Sequence, residues 1–167
     1  MRRLLTPLLF GALAMPALAD DEPAGVFEVV AKVEKAIALL REDEKQALEA
    51  LGDPDGDFVW KDTYVFVVDC EADRIVSDPA FPELVGGNIR QLVDFAGHPF
   101  GAELCHMASA PAGSWIESYW VPPGQDEPVR KLSYVRSVHG TSFQVGAGVY
   151  DYAMTQPRRY SEFGDGA

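Results

Sequence analysis

SWIESYWVPPG (Ser114–Gly124) and VRKLSYVRSVHGTSFQVGAGVYDY (Val129–Tyr152) read as three consecutive antiparallel strands. The first runs from Trp115 to Val121 and stops at Pro122, Pro123 and Gly124. The second, Val129 to Val138, is dense in β-branched and aromatic residues. His139, Gly140 and Thr141 form a short turn into the third, Ser142 to Tyr150. Gly146 and Gly148 stand two apart and so share one face. A strand face without side chains lets a packed helix or a ligand come close.

Upstream, Thr63 to Cys70 (TYVFVVDC) reads as a buried strand, and Arg74 to Ser77 as its hairpin partner. These two bring the sheet to five strands. Between the pairs, Ala80 to Ala110 leaves the sheet, with short helices expected over Asn88 to Val93 and from Pro99 to Ala110. Its apolar residues, Ile89, Leu92, Val93, Phe95, Phe100 and Leu104, suit a cap over the open sheet face that closes a pocket. Ahead of the sheet, Val26 to Leu51 carries apolar residues at helical spacing and reads as one long amphipathic helix ended by Gly52 and Pro54. It packs behind the sheet. The fold class is therefore α+β.

The two ends stand apart from this domain, which spans Asp20 to Met154. Arg2 and Arg3, the short apolar run Leu4 to Met15, and Ala17-Leu18-Ala19 make a secretory signal peptide over 1–19. The run is shorter than the ~20 residues of a spanning helix. The tail Thr155 to Ala167 has the composition of a disordered segment. Loss of Arg2 and Arg3 moves the net charge from −12 to −14. Such acidity argues against nucleic acid and anionic membranes as partners. Any anionic ligand then needs local positive groups to hold it.

Catalytic and metal signatures are absent. Ser133 and Ser142 lie in no Gly-x-Ser-x-Gly elbow, and there is no His-Glu-x-x-His or phosphate-binding glycine loop. Asp53 to Asp57 (DPDGD) lacks the twelfth-position Glu of a calcium loop, having Tyr64 there. No metal and no cofactor are expected. Cys70 and Cys105, in an exported chain, can form a disulfide. They can also remain as buried thiols, or join His98 and His106 at a metal.

The ordered set of motifs resembles the single Cache domain of bacterial extracytoplasmic sensors. The resemblance rests on Gly113-Ser114-Trp115, the Tyr119-Trp120 pair with its Pro-rich loop, Lys131-Leu132-Ser133-Tyr134-Val135, and Val145 to Tyr150 followed by Asp151. Asp78-Pro79, Gly86-Gly87-Asn88 and Asp94 to Gly97 extend it upstream. It implies a PAS-like five-stranded sheet with a long helix behind and a helical cap in front. It also implies a pocket for a short organic acid, with Tyr119, Lys131 and Tyr134 as ligand residues. Trp115 and Phe66 would be walls, and Arg90 a second cation.

A buried Lys needs an anion, and buried Tyr and Trp need hydrogen-bond partners; one small carboxylate serves all. Strict alternation puts Lys131 and Tyr134 on opposite faces, so a bulge near Lys131 is required to bring them together. The expectation is a non-catalytic, exported, standalone sensing module for a C2–C4 carboxylate. It would act through a membrane sensor kinase, chemoreceptor or transporter. The alternative is an interaction protein with a filled core that helps assemble a periplasmic complex.

Overall fold

The computed structural model describes residues 22–153. The expected signal peptide and tail lie outside the described residues. In chain order the elements are α1 (Val26–Glu42), α2 (Glu44–Leu51), β1 (Val59–Trp60), β2 (Thr63–Asp69), β3 (Arg74–Ser77), α3 (Phe100–Met107), β4 (Ser114–Trp120), β5 (Val129–Ser137) and β6 (Phe143–Asp151). The sheet order is β1-β2-β6-β5-β4, with β3 also on the far side of β2. Five strands were expected. The sixth, β1, is a two-residue strand that pairs with the start of β2, while β3 pairs with its end.

The quoted stretch forms the meander read from it. Register runs unbroken from Ser114↔Val135 to Trp120↔Val129, and from Arg130↔Asp151 to Ser137↔Gln144. No bulge interrupts β5 at Lys131, so the two faces of the sheet stay distinct along its length.

One face takes the helices. Val29, Val33, Ala36, Ile37 and Leu40 of α1 pack on Val65, Val67, Val145 and Ala147. The single helix expected over Val26 to Leu51 is broken at Asp43. There the backbone is extended (φ −149°, ψ 98°), and the Asp43 carboxylate accepts the Gln46 N–H at 3.1 Å. A short acidic side chain that can bond a backbone N–H two or three residues on favours a cap over a helix interior. Two helices therefore meet where the polar run Arg41–Lys45 sits.

The other face is covered by the excursion between β3 and β4. Only 3₁₀ turns form over Pro82–Leu84 and Ile89–Gln91. The helix expected over Asn88 to Val93 is thus a single turn, capped by Asn88 Oδ1 accepting the Arg90 N–H at 2.9 Å. Ile89, Phe100 and Leu104 pack over Tyr64, Phe66 and Val68. A Cys70–Cys105 disulfide, with Cα atoms 5.6 Å apart, ties the end of β2 to α3. That disposes of the thiol and metal alternatives for these cysteines. Asp94 fixes the far end of the cap. Its Oδ1 accepts the N–H groups of Ala96 and His98, each at 2.9 Å, and its Oδ2 accepts the Tyr119 N–H at 2.8 Å.

Candidate functional site

The glycine pair of β6 decides what can reach the capped face. A Cβ on Gly146 would stand 2.4 Å from the Phe66 ring, and one on Gly148 would stand 2.8 Å from Cε of Lys131. Neither a helix nor a ligand fills the bare stripe. The side chains of Phe66 and Lys131, from the strands on either side, lie across it. Gly148 thereby lets the Lys131 stem run flat over β6 and carry its ammonium toward β2.

The ammonium ends among aromatic rings. Nζ lies 4.2 Å from the ring centroid of Tyr64, 5.1 Å from that of Tyr150 and 5.7 Å from that of Phe66. Cation–π attraction compensates part of the lost hydration. Lys131 is 3% exposed, and its ammonium makes no hydrogen bond among the described residues. Burial lowers its pKa to about 8, against the opposing pull of the Asp78 and Asp62 charges.

A cavity opens beside it. Tyr64, Phe66 and Val68 of β2, Ser118 and Trp120 of β4, and Lys131 line its floor. Ile75 and Asp78 form one wall, and Ile89, Leu92, Phe100 and Leu104 the roof. It offers about 30 Å³ to the centres of water molecules. A cavity that just holds one water leaves its centre almost no room to move, so this space takes several waters or a small organic ligand. Ser118 Oγ is buried and unpartnered among the described residues, and Trp120 Nε1 is buried with only a poorly aligned approach to the Tyr64 hydroxyl, which opposes the rise in that tyrosine's pKa. Buried polar groups without partners are uncommon, and three donors facing one small space form a receptive set. Asp78 adds an acid. Burial raises its pKa to about 7, while Lys131 and the N–H groups of Phe81 and Ala80 pull it down.

Of the six residues expected to hold a ligand, Lys131 and Phe66 line this cavity. The other four do not. Tyr134 pairs with Ala147 and Trp115 on the helix face, where its hydroxyl donates to the Ala112 carbonyl at 2.8 Å. Trp115 stacks against Tyr134 with centroids 5.4 Å apart. Tyr119 is opposite Arg130 in the register and so shares the helix-side face. Arg90 turns outward to pair with Asp73 and donates to the Cys70 carbonyl at 3.0 Å. The expected bulge is missing, and alternation alone places Trp115, Tyr119 and Tyr134 away from Lys131.

Sequence reasoning missed Ser118, Trp120, Tyr64 and Asp78. Parity carried the signal for the first two, since Ile116, Ser118 and Trp120 stand opposite Ser133, Lys131 and Val129 on one face. Asp78, before Pro79, reads as a turn residue, and nothing in its spacing aims it at a pocket.

Comparisons with known proteins converge on one kind of molecule. The family model "Single Cache domain 2" matches residues 25–159. The methyl-accepting chemotaxis protein McpP of Pseudomonas putida KT2440 is 28% identical over 131 residues, which cover 76% of this chain. They span 23% of McpP, so the chain matches about a quarter of that relative's length.

Among solved structures, a periplasmic sensor domain of a chemotaxis protein superposes with a TM-score of 0.58 at 27% identity, covering 72% of this chain and 86% of that one. A methyl-accepting chemotaxis protein from Vibrio parahaemolyticus RIMD 2210633 gives a TM-score of 0.62 at 21% identity, covering 74% and 86%. A Cache chemosensory domain described for its recognition of carboxylic acid gives 0.58 at 23%, covering 72% and 84%. The last two likenesses carry the fold.

Proposed function

The chain belongs to the single Cache domain 2 family, and from that premise we propose that it is an extracytoplasmic sensing module for a short monocarboxylate. The observation that carries this reading is the Lys131 ammonium, buried and without a hydrogen-bond acceptor beside a small cavity under the cap. Ser118 Oγ adds an unpartnered donor, and Trp120 Nε1 a donor that otherwise has only the Tyr64 hydroxyl near it. A carboxylate presents acceptors to all three at once. A space of this order suits a short acid. The carboxylic acid recognition described for the Cache chemosensory domain belongs to that protein; the reading here stands on this pocket's own groups.

The binding set on this reading is Lys131, Trp120 and Ser118, with Phe66 and Tyr64 as walls. The module would be exported by the leader over 1–19 and would signal through a membrane chemoreceptor, kinase or transporter, without catalysis. No helix among the described residues is long and apolar enough to cross a membrane. The interaction-protein alternative needs a filled core, and the cavity beside Lys131 weighs against it.

Calorimetric titration with acetate, propionate and butyrate tests the proposal. A ligand of four heavy atoms gains at most about 1.5 kcal/mol per atom, so acetate should bind at tens of micromolar or weaker. Absence of binding by every short acid would overturn the reading.

A further inference from the structure

The cavity already contains an anion. Asp78 is 8% exposed and lines the same space as Lys131. Its Oδ1 accepts the N–H groups of Ala80 at 3.2 Å and Phe81 at 2.9 Å. Its Oδ2 takes no hydrogen bond from the described residues. The charged and titratable groups that bear on Asp78 are Lys131 from β5, Tyr64 from β2, Tyr150 from β6 and Glu83 from the 3₁₀ turn at Pro82–Leu84. Lys131 is the one cation among them.

An entering carboxylate brings a second negative charge to a buried site with one positive charge. Two carboxylates that share a site cannot both stay ionised at low cost; one of them takes a proton. The chain's overall acidity adds to that pressure. The ligand is held by Lys131, whereas Asp78 has a free oxygen on which a proton can sit and from which it can be donated.

We propose that Asp78 is a ligand-contacting residue that takes one proton from solvent as the carboxylate binds and donates it in a hydrogen bond to a ligand oxygen, an inference that rests on the carboxylate reading above. The balance is one carboxylate anion and one proton taken up, with no bond broken in the ligand. Affinity then rises as the medium becomes more acidic. The site also selects against a second carboxylate on the ligand, because no further cation among the described residues lines it.

Difference infrared spectroscopy of the full chain with acetate, at about pH 8, reads the proton directly. A C=O stretch of a protonated carboxyl should appear on binding. It should stay in place when the acetate carboxyl carbon is isotopically heavy, and be absent from Asp78→Asn. Calorimetry in two buffers of different ionisation enthalpy should give more proton uptake per acetate in wild type than in Asp78→Asn, which keeps only the part taken up by Lys131.

Asp78→Asn keeps an Oδ1 for Ala80 and Phe81 and offers an N–H in place of the new O–H. It should bind acetate roughly tenfold tighter than wild type at about pH 8. Its thermal melt checks the fold, and Asp78→Ser provides a second neutral donor. Acetate binding with no such band, and with equal proton uptake in wild type and Asp78→Asn, would overturn the inference and leave the carboxylate reading standing. A band that moves with the isotope would also overturn it, because the proton would then sit on the ligand. Failure of acetate to bind from about pH 5.5 to 8.5 would remove both.

Discussion

The stem of Lys131 occupies the place where a side chain on Gly148 would begin: a Cβ there would meet Cε at 2.8 Å and Cγ at 2.9 Å. The same Cβ would stand 2.8 Å from the carbonyl oxygen of Leu132, which cannot swing away. Gly148→Ala should therefore lose about 1–3 kcal/mol of stability through overpacking. It should also displace the ammonium and weaken acetate binding at least tenfold. Urea unfolding and calorimetry measure the two effects. Unchanged affinity would detach Lys131 from the site.

Lys131→Met keeps the stem and removes the charge. Acetate binding should fall by about 2–5 kcal/mol, the cost of leaving a buried carboxylate unpaired. The unliganded fold should lose stability above about pH 7, where Asp78 would be left as a buried anion without its cation, and lose less below it, where Asp78 can take a proton. Tyr134→Phe is the contrasting variant. It deletes a hydroxyl bonded to Ala112 on the opposite face, so stability should drop by about 1 kcal/mol with acetate affinity unchanged. Equal losses of affinity in the two variants would return Tyr134 to the ligand set.

The Asp78–Lys131 pair also predicts how stability varies with pH in the unliganded protein. Asp78 is raised to about 7, so between about pH 4 and 7 the folded chain holds a proton that the unfolded chain has released. Its contribution falls across that window as pH rises. Lys131 is lowered to about 8, so from there to about pH 10 the unfolded chain holds the extra proton and the contribution recovers. Urea midpoints of wild type, relative to an Asp78→Asn/Lys131→Met double variant, should be lowest at about pH 7–8. A maximum there would mean that the charged pair stabilises the fold.

The disulfide closes a loop with a sequence separation of 35. Replacing both cysteines by serine should cost roughly 3–4 kcal/mol on the chain-entropy view. The loss should appear first in the cap. Amide exchange over α3 and the Ile89–Gln91 turn should quicken more than exchange in β5 and β6. Uniform acceleration would show that the cap and the sheet unfold as one unit.

Export gives a prediction independent of the site. The mature chain should begin at Asp20, after Ala17-Leu18-Ala19, and should be recovered outside the cytoplasm. Intact-mass measurement of the secreted and cell-associated fractions decides it. A cytoplasmic chain that retains its leader would refute export.

The sheet was legible because its strands carry period-two patterns and firm punctuation. Pro122-Pro123-Gly124 and His139-Gly140-Thr141 mark the turns that the structure contains. Lys131 stood out because a lysine inside an apolar strand demands an explanation. The rest of the site was harder to read. Tyr134 was drawn into the pocket by likeness to a family pattern, against the parity that the unbroken β5 register obeys. Asp78 and the roof reach the cavity through tertiary placement of the excursion, which no local period encodes. The break at Asp43 was hidden because Arg41 to Lys45 are as compatible with an exposed helix turn as with a cap.

The bonds made by the Asp94 segment have a consequence for how many copies of this domain can crowd together. β4 is the outermost strand, and a bare outermost strand is a template on which another chain can add a strand of its own. Here the outward N–H of Tyr119 is taken by the Asp94 carboxylate, and its outward carbonyl by the Phe95 N–H at 3.1 Å. The segment at the far end of the cap thus also blocks edge-to-edge addition at that end of β4. An Asp94→Ala chain would expose that ladder and should aggregate at concentrations where wild type stays dispersed.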